Sequence, residues 1–173
     1  MAPLFTPQEK QISVAFVCLG NICRSPMAEA IFKHKVQQLG YADYFNRIDS
    51  YGTASYHVGE SPDRRSAATC RKHGVPVNHR AQQIRPNDFR SFDYVIAMDQ
   101  SVLDDLRYMK PRDSKAVVEL FGHWNDETGR KIMELSDIVE DPYYGGIHGF
   151  EHNYNQICYF SDQFLNQEVG SLD

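Results

Sequence analysis

Cys18 and Arg24 stand six positions apart in VCLGNICRSPMAEAIF, residues 17–32, a stretch that ends an apolar run, crosses a short polar loop and enters a helix through Ser-Pro. Residues of these types at this spacing can transfer a phosphoryl group. A loop between a strand and a helix N-terminus presents unpaired backbone N–H groups and the positive end of the helix dipole, which together bind anions. It is not the nucleotide-binding P-loop, because the Gly-x-x-x-x-Gly-Lys-Ser/Thr pattern and its lysine are missing. Gly20 permits close backbone approach and Asn21 tolerates a left-handed conformation, so Leu19, Gly20, Asn21, Ile22 and Cys23 can curl around a tetrahedral anion. Arg24 adds a planar fork of donors that grips two phosphoryl oxygens and the charge that spreads over them during transfer.

The same positive field favours the thiolate of Cys18, the form that attacks. Attack on phosphorus gives a phosphocysteine that water later hydrolyses, and Ser25 can hydrogen-bond the sulfur and ease its departure. A departing phenolate or alkoxide needs a proton, which a thiolate cannot supply. Asp141 in EDPYYGG is the candidate acid: Pro142 biases it toward an extended backbone, and the loop can aim its carboxyl while Tyr143 and Tyr144 wall the site. Taken singly, a cysteine ending a buried strand is usually a small hydrophobe, and Asp-Pro before Gly-Gly is usually a turn. The Cys-x₅-Arg-Ser spacing at a strand-to-helix turn is what favours the chemistry. Cys23 directly precedes Arg24 and cannot lie on the floor of the same cradle; it reads equally as packing or as a redox partner able to trap oxidised Cys18 as a disulfide.

Elements that could position these groups alternate along the chain. Ile12 to Val17 is a short continuous apolar run, as in a strand covered on both faces. Ser25 reads as the N-cap of the following helix, with Pro26 in its first turn, Gly40 at its end and Ala28, Phe32, Val36 and Leu39 as its buried stripe. Strands are expected in RIDSYGT, FDYVIAMD and KAVVELF, and helices in SPDRRSAATCRKHG, entered through Ser-Pro, and over residues 100–109. Phe150, Tyr154, Ile157, Phe164 and Leu165 recur at helical spacing in a last amphipathic helix. The pattern predicts a three-layer αβα sandwich around a central four-stranded parallel sheet, with the phosphate-binding loop between the first strand and the first helix.

With 173 residues, one domain over residues 11–173 after a loose arm over residues 1–10 is the expected organisation. A net charge of −5 with interspersed signs lacks the basic stripe that nucleic-acid binding needs. ISVAFVCLG lacks the cleavage pattern of a signal peptide, and no apolar stretch approaches the ~18 residues of a membrane helix, so a soluble chain is expected. Cys18, Cys23, Cys70 and Cys158 form no Cys-x-x-Cys pair; thiols this sparse suit a reducing cytosol and argue against structural zinc.

Through VCLGNICRSPMAEAIF and DPYYGG the sequence closely resembles the low molecular weight protein tyrosine phosphatases, with similarity of order and character over about residues 11 to 168. The resemblance implies Cys18 as nucleophile, Arg24 as phosphate binder, Asp141 as general acid and Ser25 as the group that lowers the thiolate's basicity. It implies support of the loop by hydrogen bonds from Asn21 to Ser50 of IDSYGT and His79 of HGVPVNH, where His79 would otherwise be one of seven histidines. It further implies a mouth lined by Leu19, Ile22, Tyr56, Tyr143 and Tyr144. Family members often carry tryptophan where Tyr56 stands, with His57 next to it here, which bears on substrate preference. WNDETGRKIMELSD, residues 124–137, is longer and more charged than in many relatives and bears on the mobility of the acid loop. The paired tyrosines are phosphorylation sites in some relatives.

The expected protein is therefore a cytoplasmic hydrolase without metal or cofactor. It would act on a phosphotyrosine-containing protein or a small aryl phosphate and release inorganic phosphate, best at acidic pH, where a thiolate and a neutral carboxylic acid coexist. An arsenate reductase on a similar fold would need later cysteines for its redox steps, whereas Cys70 and Cys158 are far apart in sequence. A non-catalytic phosphate-binding module would fit a chain lacking the nucleophile or the acid, and this chain has both.

Overall fold

Seven consecutive buried residues, Ile12–Cys18, form the strand β1, which occupies the interior of the sheet. The structure is a computed structural model describing residues 11–142 and 147–170; the arm expected over residues 1–10 lies outside the described residues, as do Tyr143 and Tyr144. Strands β2 (Phe45–Gly52), β3 (Tyr94–Ala97) and β4 (Val117–Leu120) join β1 in a four-stranded sheet of order β2-β1-β3-β4, parallel throughout. The helices are α1 (Arg24–Gln38), α2 (Arg64–Lys72), α3 (Gln100–Met109) and α4 (Ile147–Glu168).

Both faces of β1 are apolar because each is covered. Ile12, Val14 and Phe16 point into a core shared with Phe32 of α1 and Phe160 and Phe164 of α4, while Ala15 and Val17 face Val102, Leu103 and Leu106 of α3. This explains the unbroken apolar run: in a strand buried on both sides, the period-two alternation separates two cores rather than core from water. Phe16 is fully buried, with ring centroids 5.3 Å from Phe32 and 5.1 Å from Phe121. Phe16→Ala is expected to cost about 3–5 kcal/mol in urea unfolding, lost burial plus the cavity left behind.

Several boundaries differ from those expected. Ser25 is not the N-cap of α1: that position is held by Cys23, without a side-chain cap, and Ser25 lies inside the helix, fully buried. Asp63, not Ser61, caps α2, its carboxylate accepting from the Arg65 N–H. Leu39 falls just beyond α1 and is 39% exposed, so it leaves the buried stripe. Gly40 at φ +75° and Gly74 at φ +77° turn the chain past α1 and α2, in the left-handed region that glycine adopts without strain.

From β1 the chain passes to β2 on one side and later returns to β3 on the other. The strand order therefore reverses at β1, and a crevice opens beyond the carboxyl ends of β1 and β3. Cys18 is the last residue of β1.

Candidate active site

Asn21 rivets the loop that follows Cys18. It is buried at φ +58°, and Gln82 N–H donates to its Oδ1 at 2.9 Å, which fixes the orientation of the amide. His79 Nε2 lies 2.7 Å from the same oxygen, an acceptor only, so that nitrogen carries a proton. Asn21 Nδ2 donates to Ser25 Oγ at 2.8 Å and to Ser50 Oγ at 3.1 Å. Behind these stands Glu29, on the buried side of α1: its carboxylate accepts from Ser50 Oγ at 2.8 Å and Lys33 at 2.7 Å, and lies 3.3 Å from His79 Nδ1. Ligand-type atoms of Glu29, Asp49 and His79 come within 4.8 Å of one another, but hydrogen bonds from Ser50 N–H, Gln82 and Arg47 occupy Asp49, and Asn21 occupies His79. The cluster is a closed network that stiffens the loop.

The sulfur of Cys18 meets donors. Asn21 N–H points to Sγ at 3.2 Å, and Ser25 Oγ is 2.9 Å away. Because Asn21 Nδ2 already donates to Ser25 Oγ, the hydroxyl proton is available to the sulfur, its other acceptor being Tyr51 O at a longer 3.3 Å. The buried position of Ser25 in the first turn of α1 thus serves the sulfur, which explains why it does not cap the helix.

Arg24 is 3% exposed. Its Nη1 donates to Asp99 Oδ2 at 2.5 Å and to Val139 O at 3.0 Å, and its Nη2 lies 3.7 Å from Asp141 Oδ2. Nε is buried and finds no acceptor among the described residues. Burial works against the charged guanidinium, yet the negative charges of Cys18, of hydrogen-bonded Asp99 and of Asp141 together raise its pKa above the ordinary value. Arg24 and Cys18 line the same cavity. The orientation of the guanidinium rests on Asp99, which the sequence reading did not single out. Asp99 caps α3, with Oδ1 accepting from Val102 N–H, and turns its second oxygen to Arg24. Asp-Gln-Ser-Val after a strand signals the cap; nothing local signals a partner 75 positions away.

A cavity of about 220 Å³ opens over these groups, with Cys18 and Arg24 at its base, Leu19, Ile22, Tyr56 and His57 around it, and Asp141 at its edge. Leu19 and Tyr56 are exposed, 44% and 75%, and form an apolar rim. His57 is held by Glu60, Nδ1 to Oε2 at 2.9 Å, and lies so close to the loop that a Cβ on Gly20 would come within 3.0 Å of its ring. Tyr143 and Tyr144, expected as mouth residues, lie outside the described residues. Asp141 itself is 42% exposed, and the segment before it is anchored: Val139 N–H donates to Met98 O at 2.8 Å while Val139 O accepts from Arg24. The charged stretch 124–137 leading there is tied to α4 by Tyr159–Asp126 and by Gln156, which donates to Ser136 O and Ile138 O.

Cys23 is buried, and all four cysteines are free of disulfides. Burial first, then the negative charges of Asp63, Cys18 and Asp141, push its thiol far up, so it stays protonated beside Cys18. Gly52 is a site residue that sequence reasoning missed. It pairs with Cys18 across β1 and β2, and a Cβ there would meet Leu19 O at 2.7 Å and Asn21 N at 3.2 Å. Gly52→Ala is expected to displace the loop and lower kcat/KM about 100-fold on an aryl phosphate, with circular dichroism unchanged.

Comparison with known proteins agrees with this geometry. A family model described as low molecular weight phosphotyrosine protein phosphatase matches residues 13–171. The low molecular weight phosphotyrosine protein phosphatase of Saccharomyces cerevisiae is 52% identical over 164 residues, covering 95% of this chain and 99% of that one. Among solved structures, a protein tyrosine phosphatase from Entamoeba histolytica superposes with a TM-score of 0.82 at 30% identity, covering 91% of this chain and 96% of that one. A Drosophila arginine phosphatase gives 0.80 at 38%, covering 90% and 97%. Likeness of this extent, over a loop built around a sulfur, an arginine fork and an asparagine rivet, means that the chain belongs to the low molecular weight phosphotyrosine protein phosphatase family.

Proposed function

We propose that the chain hydrolyses phosphotyrosine and small aryl phosphate monoesters through a phosphocysteine intermediate. The observation that carries this reading is the convergence of the Cys18 sulfur, its two hydrogen-bond donors and the Arg24 fork at the base of one small cavity. Phosphoryl oxygens bind to loop N–H groups and to Arg24, whose buried Nε has a free hydrogen for them. The Cys18 thiolate attacks phosphorus, an S–P bond forms as the P–O bond to the phenol breaks, and Asp141 gives its proton to the departing oxygen. Asp141, now a carboxylate, takes a proton from water as that water attacks phosphorus; the S–P bond breaks and inorganic phosphate leaves. Ser25 O–H stabilises the sulfur anion each time it is released. Asn21, Ser50 and His79 hold the loop in the shape the phosphoryl group requires. Leu19, Ile22 and Tyr56 offer apolar surface to an aromatic ring, which agrees with an aryl ester as substrate.

No metal or cofactor takes part in these steps. Cytoplasmic residence fits four thiols free of disulfides, one of them the nucleophile, and no helix among the described residues is long and apolar enough to cross a membrane.

The test is hydrolysis of aryl phosphates in EDTA across leaving groups of different basicity, for the wild type and Asp141→Asn. Loss of the acid is expected to slow a phenyl ester about 10²–10⁴-fold and a nitrophenyl ester much less, because a good leaving group departs without a proton. Equal losses would remove Asp141 from that role. Phosphoarginine belongs in the same panel, given the Drosophila relative, and is expected to be the poorer substrate at an aromatic rim. Arsenate reduction in place of ester hydrolysis would favour the oxidoreductase reading. Phosphate binding without turnover would favour a binding module.

A further inference from the structure

We propose that an arginine-lined groove beside the active-site mouth docks acidic residues flanking the phosphotyrosine of a protein substrate, an inference that rests on the function proposed above. The groove, of about 940 Å³, runs between α2 and the segment Val77–Arg80. Arg64, Arg71 and Arg80 line it and are exposed. The side chains of Arg64 and Arg71 make no hydrogen bond or ion pair among the described residues, and that of Arg80 makes only a long bond, 3.4 Å, to Gly59 O. The carboxylate in the lining, Asp63, is already committed: it accepts from the Arg65 side chain and backbone, and these hydrogen bonds overcome its burial to hold its pKa below the usual value. The groove therefore keeps an excess of positive charge on a chain whose net charge is −5.

Position and spacing suit a peptide. Arg64 and Arg71 are two helical turns apart on one face of α2, about 10 Å along its axis. Roughly three residues of extended peptide cover that span. The groove also adjoins the active site: Asp63 N–H donates to Ile22 O at 2.7 Å, which fastens the start of α2 to the phosphate loop. The segment that carries Tyr56 and His57 past the mouth continues into the groove wall, where Glu60 O accepts from Ala81 N–H at 2.9 Å and Gly59 N–H donates to Ala81 O at 2.8 Å. A cavity of about 220 Å³ admits a phosphorylated ring but not its neighbours, so a substrate chain leaving over Ile22 reaches Arg64 first. Exposed pairs are individually weak and screened by salt, but three arginines acting together discriminate.

The experiment measures kcat/KM for phosphotyrosine peptides that differ only in the residues on one side of the phosphotyrosine, glutamate, glutamine or lysine, with each side tested in turn. Glutamate on one side is expected to raise kcat/KM about tenfold over glutamine, lysine to lower it, and added salt to compress the difference. The combined variant Arg64→Gln, Arg71→Gln, Arg80→Gln should erase the contrast and leave hydrolysis of p-nitrophenyl phosphate unchanged. Arg71→Glu with Arg80→Glu should shift preference toward the lysine peptide. Equal rates for all three wild-type peptides, or a contrast that survives the triple variant, would overturn the groove assignment while leaving the phosphatase reading intact. So would a groove that answers only to a nucleic-acid oligomer. Failure of the wild type to hydrolyse p-nitrophenyl phosphate or any of the peptides would remove the proposed function and this inference together.

Discussion

Replacing Cys18 with serine is expected to lower turnover of p-nitrophenyl phosphate by about 10⁵-fold. The two substitutes differ in ionisation rather than in reach. A thiol can exist as the anion among donors, and the sulfur here has two, the Asn21 N–H and the Ser25 hydroxyl. An alcohol at the same point would need a base to take its proton, yet none of the hydrogen-bond partners of the sulfur is one. The phosphate loop and Arg24 are untouched by the exchange, so Cys18→Ser should still bind inorganic phosphate, as titration calorimetry can measure. Turnover remaining within about a hundredfold of wild type would place the nucleophile elsewhere.

Arg24→Lys should lower kcat by about 10³-fold although the charge is conserved. The guanidinium does two jobs with different nitrogens: Nη1 is fixed by Asp99 and Val139 O, while Nε, buried and unclaimed among the described residues, keeps its hydrogen for a phosphoryl oxygen in the mechanism proposed above. One ammonium cannot be anchored at Asp99 and still present a planar fork to two phosphoryl oxygens. Lysine is also the cleaner comparison than alanine, because alanine would leave the Asp99 carboxylate without its cation and add a folding penalty of about 1–3 kcal/mol. Single-turnover kinetics distinguish the outcomes: a lower rate of phosphocysteine formation with weaker phosphate binding is expected, whereas unchanged formation would mean that Arg24 serves structure alone.

The anchoring of Val139 gives these two predictions a common basis. Its N–H is bound at the end of β3 and its carbonyl at Arg24, so the acid-bearing segment and the phosphate-binding fork share one support. The charged stretch before it is fastened to α4 by Gln156 and Tyr159 rather than left as a free loop. Changes in residues 124–137 should therefore act on the placement of Asp141 through Val139, two residues away.

Local chemistry wrote much of this molecule legibly. The apolar run from Ile12 announced a doubly covered strand because each of its residues sees one of two cores, and α3 fell on residues 100–109 as expected because Asp99 begins it with an ordinary cap. Cys18, Asn21 and Arg24 could be recognised together because they sit within seven positions at a strand-to-helix turn, where the backbone alone creates an anion site. Ser50 and His79 became visible only through family resemblance, since neither has a distinctive neighbourhood in the chain. Other parts of the site were settled by packing. Asp99 can cap a helix with one oxygen and hold Arg24 with the other, and only the pairing of β1 with β3 brings the second partner within reach. Nothing beside Glu29 in the chain marks it as buried; packing of α1 turns it toward Ser50 and His79. Ser25 looked like a cap, but the helix starts two residues earlier than such a cap implies, at Arg24, and the Ser25 hydroxyl meets the sulfur instead. Gly52 carried no signal at all, because its need for a missing side chain comes from the loop at Leu19–Asn21, far away in the chain. Turns, caps and burial periods depend on neighbours in the chain, whereas the division of lone pairs and contact space among distant residues depends on which surfaces the sheet and helices press together.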